Sequence, residues 1–371
     1  MSVNFRIVPV YIFIICFLRT AAVNGQILKD SSSINLLKRG VDDIYGFRFA
    51  EASQAGDELS RKFPGHPVIH LYNGMLVYWK NYPLIPSSPE SLSYENYMTT
   101  CIKICEEVQD TDDYAEYLLA NLGARGMLLM YYADNNLSEK VNSLVISTYR
   151  HVRESFNYSS VYPDFYFFTG LYNYYREAYP EAHPIYKVVA FLFPRGDREK
   201  GLAEMRMAAT KAIMLKAEAY SFLSYIFLSF ENNYTRSLPY TKGLHELYPA
   251  NQPYLAGYLK NLLLLKKYDE AEKIIKSLNS YITGSFFGAQ VTVFNGILQE
   301  KKYQNYDQAL KFYNKGISEL SAFNYYGSEY SSFAYFGLSR ISGIRNDKQN
   351  RKTYRKMAME MTSYKKVNFD E

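Results

Sequence analysis

After Gln26 nearly every stretch spaces its apolar residues three and four apart, and none sustains the period-two alternation of a half-buried strand. The pattern predicts a first helical pair over 32–63, closed by Pro64-Gly65. Its second member carries Ala50, Ala52 and Ala55, small residues that let helices approach closely. A helix over 66–80 follows and holds Trp79, the single tryptophan. The loop with Pro83, Pro86 and Pro89 then separates this opening unit from the rest. Helices are expected over 91–109 and 112–132, joined by an Asp110-Thr111-Asp112 turn with N-cap chemistry, and again over 138–156. From Asp164 the chain reads DFYFFTGLYNYYREAYP, ended by Pro180, then a short apolar helix over 185–193, then Pro194-Arg195-Gly196-Asp197. Turns near Asn232, Pro249, Tyr281, Asn305, Asn324 and Asn346 divide the remainder, giving about fifteen helices, or five to seven hairpins.

Three of these segments repeat one another. Tyr234, Tyr268 and Tyr306 each open an amphipathic stretch and lie 34 and 38 residues apart. In YDEAEKIIKSL, Tyr268, Ala271 and Ile275 share one helical side; Tyr306, Ala309 and Tyr313 repeat the offsets. The alanine admits the paired helix and the aromatic fills the groove beside it. Units of this kind cannot bury their apolar face alone, so they stack and leave a concave surface that usually binds something. The expected class is an all-α superhelix of stacked helical hairpins. Its parts are a leader over 1–25, an opening hairpin unit over 26–82, degenerate repeats over 90–160, and repeats with a C-terminal capping helix over 161–371.

Composition agrees with a packed protein: of 371 residues, 48% are hydrophobic and 17% aromatic, enough for a large core. Arg6 followed by the apolar run 7–18 and by Val23-Asn24-Gly25 has the layout of a secretion signal cleaved after Gly25, with an uncleaved anchor as the alternative. Twelve apolar residues fall short of the roughly 20 that span a bilayer. Cys16 follows Ile14-Ile15 and lacks the small residue that lipid attachment needs. No later segment is apolar enough to span, so an exported, periplasmic or extracellular protein without a stable membrane span is expected. Removing Arg6 and Arg19 leaves 40 basic against 37 acidic residues, a balance of +3 that gives no nucleic-acid footprint. The basic stretch 348–366 reads as the solvated face of a capping helix. Cys101 and Cys105 share a helical face, where a disulfide is strained; buried core residues are the primary reading, and an oxidising compartment keeps the disulfide open.

The central block admits two readings. In the structural one Tyr172 and Tyr175 face the core, Asp197 caps its helix, and Arg198 pairs with Asp164 or Glu177. In the functional one Tyr174, Arg176 and Arg198 line a groove for an acidic or glycan ligand, since tyrosine offers a flat face with a polar tip and arginine forks onto carboxylates. The structural reading takes precedence because core aromatics are the norm in helical stacks. Of the 38 tyrosines some must be exposed, because neighbours such as Tyr131-Tyr132 and Tyr174-Tyr175 diverge by about 100° on a helix. Among five histidines, His66 and His70 have ligand spacing, but no glutamate follows His66 and Pro67 sets it in a turn. No GxSxG, P-loop, GxGxxG or paired-cysteine zinc pattern occurs, so no catalytic residue, metal or cofactor is assigned.

The segments at Tyr268 and Tyr306, with Ala271 and Ala309 at the small position, resemble the second helix of tetratricopeptide repeats. Leu247-Tyr248-Pro249 and Lys62-Phe63-Pro64 are similar to the proline-terminated ends of such units. GLYNYY (170–175), Pro180, the short apolar helix and RGDREKGL (195–202) resemble a bacterial group of secreted tetratricopeptide proteins. A related Gly-Asp-Arg-x-x-Gly-Leu element occurs in the eukaryotic inclusion-body-clearance family. The resemblance spans about 34–320 and implies a right-handed superhelix and a non-catalytic adaptor holding a protein or extended peptide. Two rivals stand beside it: a glycan- or nutrient-binding protein of the helical outer-membrane uptake class, and an enzyme with a composite acid–base site.

Overall fold

The computed structural model describes residues 26–108, 113–184, 187, 191, 193–278, 284–362, 367 and 369. The leader, the 110–112 turn, the turn near Tyr281, most of the helix expected over 185–193 and the end of the basic stretch lie outside them. Among the described residues every regular element is helical, so the fold is all-α. The first half comprises α1 (Ser31–Tyr45), α2 (Phe49–Lys62), α3 (Pro67–Lys80), α4 (Pro89–Glu106), α5 (Tyr114–Asp134), α6 (Ser138–Ser155) and α7 (Phe165–Ala182). The second comprises α8 (Arg198–Lys211), α9 (Lys216–Tyr225), α10 (Tyr234–Leu247), α11 (Gln252–Leu264), α12 (Tyr268–Ser277), α13 (Phe286–Lys301), α14 (Tyr306–Leu320), α15 (Ser328–Ile344) and α16 (Lys348–Met361).

Each odd helix pairs with the even helix after it, and odd helices also stack on odd ones (α1 on α3, α3 on α5, α11 on α13, α13 on α15). That is the packing of hairpins in series, with odd helices layered on one another at each end of the array. Local chemistry explains the hairpins. Six odd-to-even turns contain one residue in the left-handed region: Phe47, Asn136, Asn232, Lys266, Gln304 and Asn346. In each, the following N–H reaches back to a carbonyl five or six residues earlier, as from Arg48 to Asp43 and from Lys267 to Leu262, both 2.9 Å. This is the Schellman-type closure that satisfies the orphan carbonyls of the odd helix. Asn233, Asn305 and Asp347 then cap α10, α14 and α16. The expected repeat positions sit accordingly: Ala271 and Ala309 are fully buried, Tyr268 and Tyr306 half-buried. Behind Tyr234 the small position is filled by Ser237, also fully buried.

Several expectations are refined. α7 runs two residues past Pro180, which lies in its last turn and has no N–H to give the Arg176 carbonyl. His66 caps α3 through Nδ1 and lies 3.2 Å from Glu116, as its place before Pro67 suggested. Cys101 and Cys105 are buried and free. α16 buries only Ala358 and exposes its basic face.

The layer does not stay open. The Tyr248 hydroxyl donates to Asp42 at 2.8 Å, and the Asn251 side chain donates to the Tyr45 carbonyl at 3.0 Å, joining α1 to the α10–α11 corner. Trp79 stacks on Tyr82 and meets Tyr254 edge-on at 5.6 Å; Tyr82 in turn meets Tyr326 at 5.7 Å. Tyr82, beside the proline-rich loop at 83–89, packs against the core of the first half and that of the second.

Candidate functional site

Tyr174 and Arg198 meet at Glu231 in a clasp between α7 and α8, whereas Arg176 makes separate contacts with Phe193 and Glu177. Tyr174 is completely buried, its hydroxyl donating to Glu231 at 2.5 Å. Arg198 holds the same Glu231 oxygen through Nη2 (2.7 Å) and Nε (3.0 Å), reaches Glu181 at 3.0 Å, and lies over the Tyr174 ring. Burial works against the Glu231 charge, yet the hydrogen bonds from Tyr174 and Arg198 outweigh it and hold that carboxyl below its ordinary value. Burial and the Glu231 carboxylate push the Tyr174 phenol up. Arg176 donates to the Phe193 carbonyl at 3.0 Å and lies 3.5 Å from Glu177, which in turn accepts the Gly196 N–H.

Glycines explain why this block reads as it does. A Cβ on Gly201 would stand 2.5 Å from the Tyr174 nitrogen and 2.8 Å from the Gly170 carbonyl, so the GLYNYY and RGDREKGL elements are the two sides of one close helix crossing. Asp197 caps α8 through the Lys200 N–H, as expected. Two details differ. Arg198 pairs with Glu231 and Glu181, because Asp164 is taken by the N–H groups of Ile213, Met214 and Leu215. Tyr174 is the fully buried tyrosine, because α8 crosses on the side of Gly170 and Tyr174; Tyr175 is half-buried against the same core, and Tyr172 is half-buried as well.

What Tyr172 and Tyr175 face is a cavity of about 460 Å³. Its wall comes from α1, α3, α5, α6, α7 and α9, where α5 and α7 meet through Leu119, Leu122, Phe167 and Phe168 and leave space inside the layer. The lining is almost wholly apolar, and many of these side chains, among them Leu71, Leu129, Met130, Leu171 and Phe222, are only half-buried because they front the cavity. Gly126 lies on the wall with nothing within 4 Å of where a Cβ would stand. Among the described residues on the wall, Glu218 of α9 is the one carboxylic acid, and no Lys, Arg or His lines it. The Tyr45 hydroxyl donates to its Oε1, while Oε2 has no partner among the described residues. Burial pushes this carboxyl up to about 8, with its own backbone N–H acting weakly the other way.

Of the residues singled out from sequence, Tyr172 and Tyr175 line the cavity, whereas Tyr174, Arg176 and Arg198 do not. One signal pointed there: LLANLGARGMLLM (118–130) is apolar on nearly every side, and such a helix must bury two faces. Among the described residues no cluster of His, Cys, Asp and Glu suits a metal ion, and no helix is long and apolar enough to cross a membrane. Neither a protein-family model nor a curated protein matches the chain.

Proposed function

We propose that this chain is a non-catalytic binding protein of the tetratricopeptide-like kind, exported by its leader, whose hairpins hold an apolar ligand in the cavity between α1, α3, α5, α6, α7 and α9. The observation that carries this is the wall itself: a cavity of about 460 Å³, inside the usual range of small-molecule sites, lined by aliphatic and aromatic side chains with one acid. The reading keeps the binding role that stacked hairpins imply and changes the cargo. An extended peptide needs a long open inner face, whereas here ring contacts among Tyr45, Trp79, Tyr82 and Tyr254 draw distant hairpins together. A glycan needs many polar partners, and this wall offers few. A composite acid–base site needs a second titrating group within reach; beside Glu218 this wall offers tyrosine phenols, among them Tyr172, which burial pushes up.

A protein partner is the second reading, favoured by Ile146 on α6, which is 76% exposed beside the half-exposed Val145 of the cavity wall.

Titration of the full chain with a fluorescent apolar probe, beside Gly126→Leu, tests the first reading. A leucine at 126 enters the cavity without meeting backbone and replaces a helical glycine, so the fold is retained and probe binding is lost. Equal binding by both proteins, with both folded, overturns it. Capture of a partner by the wild type but not by Ile146→Asp would move the assignment to α6.

A further inference from the structure

Polar groups on the cavity wall are spent on the protein itself. The hydroxyls of Tyr72 and Thr148 donate to the Ala52 and Leu144 carbonyls, both at 2.6 Å, and that of Tyr172 donates to the Pro194 carbonyl at 2.7 Å. Glu218 accepts from Tyr45 through Oε1, and its Oε2 is buried out of reach. What faces the space is hydrocarbon and thioether: Met75, Met127, Met130 and Met214, which adapt their shape to a neighbour, stand among leucines and rings. At about 460 Å³ the cavity is about three times the 150 Å³ that admits benzene, room for roughly 18 carbon atoms. Among the described wall residues two are exposed, Gly126 of α5 and Val145 of α6. They lie ten residues before and nine after Asn136 in the turn between the two helices, so the antiparallel pair sets them at one height and the cavity opens beside them. Arg125, next to Gly126, is committed to Asn121, Ser147 and Glu106, and residues 142–147 of α6 carry no ionisable group.

We propose that the occupant is the hydrocarbon chain of an amphiphile, threaded past Gly126 and Val145, with its polar head left in solvent beside Val145. This rests on the apolar-ligand reading above and adds the class of ligand, its route and the place of its head. A polar group carried inward would lose its hydration, because the hydroxyls of Tyr72, Thr148 and Tyr172 and both oxygens of Glu218 are already committed or out of reach. A run of methylene groups has no such cost and gains from every carbon taken out of water. It can also bend to follow a wall assembled from six helices, and Gly126, with no side chain, leaves the opening clear. Affinity is then set by the length of the chain and not by the charge of the head.

The test is calorimetric titration of the full chain at pH 7 and low salt with linear amines and linear carboxylic acids of eight, ten and twelve carbons, each below its aggregation threshold. Every added methylene should tighten binding about fourfold in both series. Amine and acid of equal length should agree within about twofold, since neither head meets a charge. Val145 is half-exposed, so a charged side chain there is tolerated. Val145→Lys should then favour the acid and Val145→Asp the amine, each by about two- to fivefold, as for an exposed ion pair. An affinity that ignores chain length, a larger head preference in the wild type, or no response to the charge at 145 would overturn the assignment and leave the apolar cavity standing. So would failure of both series while the fluorescent apolar probe still binds. Failure of the probe as well, with the wild type folded, would overturn the cavity reading with it.

Discussion

Replacing Glu218 by glutamine makes a sharp test of how the cavity is built. Glutamine keeps the oxygen that accepts from Tyr45 and removes the charge. In the unfolded chain the carboxyl titrates near 4.5, and in the fold near 8, so the folded state binds more protons between those values. The wild type is therefore at full strength below about pH 4.5 and loses stability as pH rises to about 8, beyond which the difference stays constant. At about 1.4 kcal/mol per pH unit the shift has a ceiling of roughly 5 kcal/mol, and a cavity that admits water brings it to about 3 kcal/mol. Urea unfolding of both proteins from pH 4.5 to pH 9 reads this directly. The two curves should start together and separate steadily, with Glu218→Gln the more stable by about 3 kcal/mol at pH 9. A difference that is the same at every pH would refute the reasoning, for it would mean that the carboxyl is as well solvated in the fold as outside it.

Four further outcomes are expected. Gly201→Ala drives a methyl into the α7 backbone and should cost about 1–3 kcal/mol or more, seen as a lower urea midpoint with far-UV dichroism retained. Ala309→Leu overpacks the fully buried small position of α14 and should cost a similar 1–3 kcal/mol or so by the same assay. Arg198→Ala removes the donors that hold the Glu231 carboxyl down; about 1–2 kcal/mol should be lost at pH 7, and the loss should shrink in acid, as pH falls through the lowered range of Glu231 and the carboxylate is protonated. Asp134, raised to about 7 by burial and by Glu329, behaves like Glu218: Asp134→Asn should gain on the wild type between about pH 4 and pH 7 and no further above it.

The repeat was legible because its chemistry is local. The Tyr-x-x-Ala spacing of α12 and α14, the Asn caps and the proline and glycine breakers each act within one turn of helix, so periodicity places them. Tyr174 and Tyr175 show where that reasoning stops. Both sides of α7 are aromatic, and only the crossing of α8 at Gly170 and Gly201 decides which side is core. The cavity was out of reach for a stronger reason. Its wall gathers residues from Leu37 to Phe222 on six helices, and no window of sequence reports which inner faces meet. Glu218, an acid in the first turn of α9, carries no local mark of burial; the first hairpin lies against it through Tyr45. The Tyr45, Tyr248 and Tyr254 contacts that bring the hairpin there link residues about 200 apart by cross-chain burial of the kind that pattern alone does not specify.

That seam also bears on how the chain comes apart. An open row of hairpins melts from its ends, each unit held only by its neighbour. Here the first hairpin is tied to the α10–α11 corner, and Tyr82 to the start of α15, so neither the amino-terminal units nor the late ones can peel away without rupturing contacts between distant parts of the chain. The protein is then a clasped loop in the mechanical sense: pulled from its two termini, it should resist until the seam breaks and then yield in one large step, where an unclasped array would unzip hairpin by hairpin.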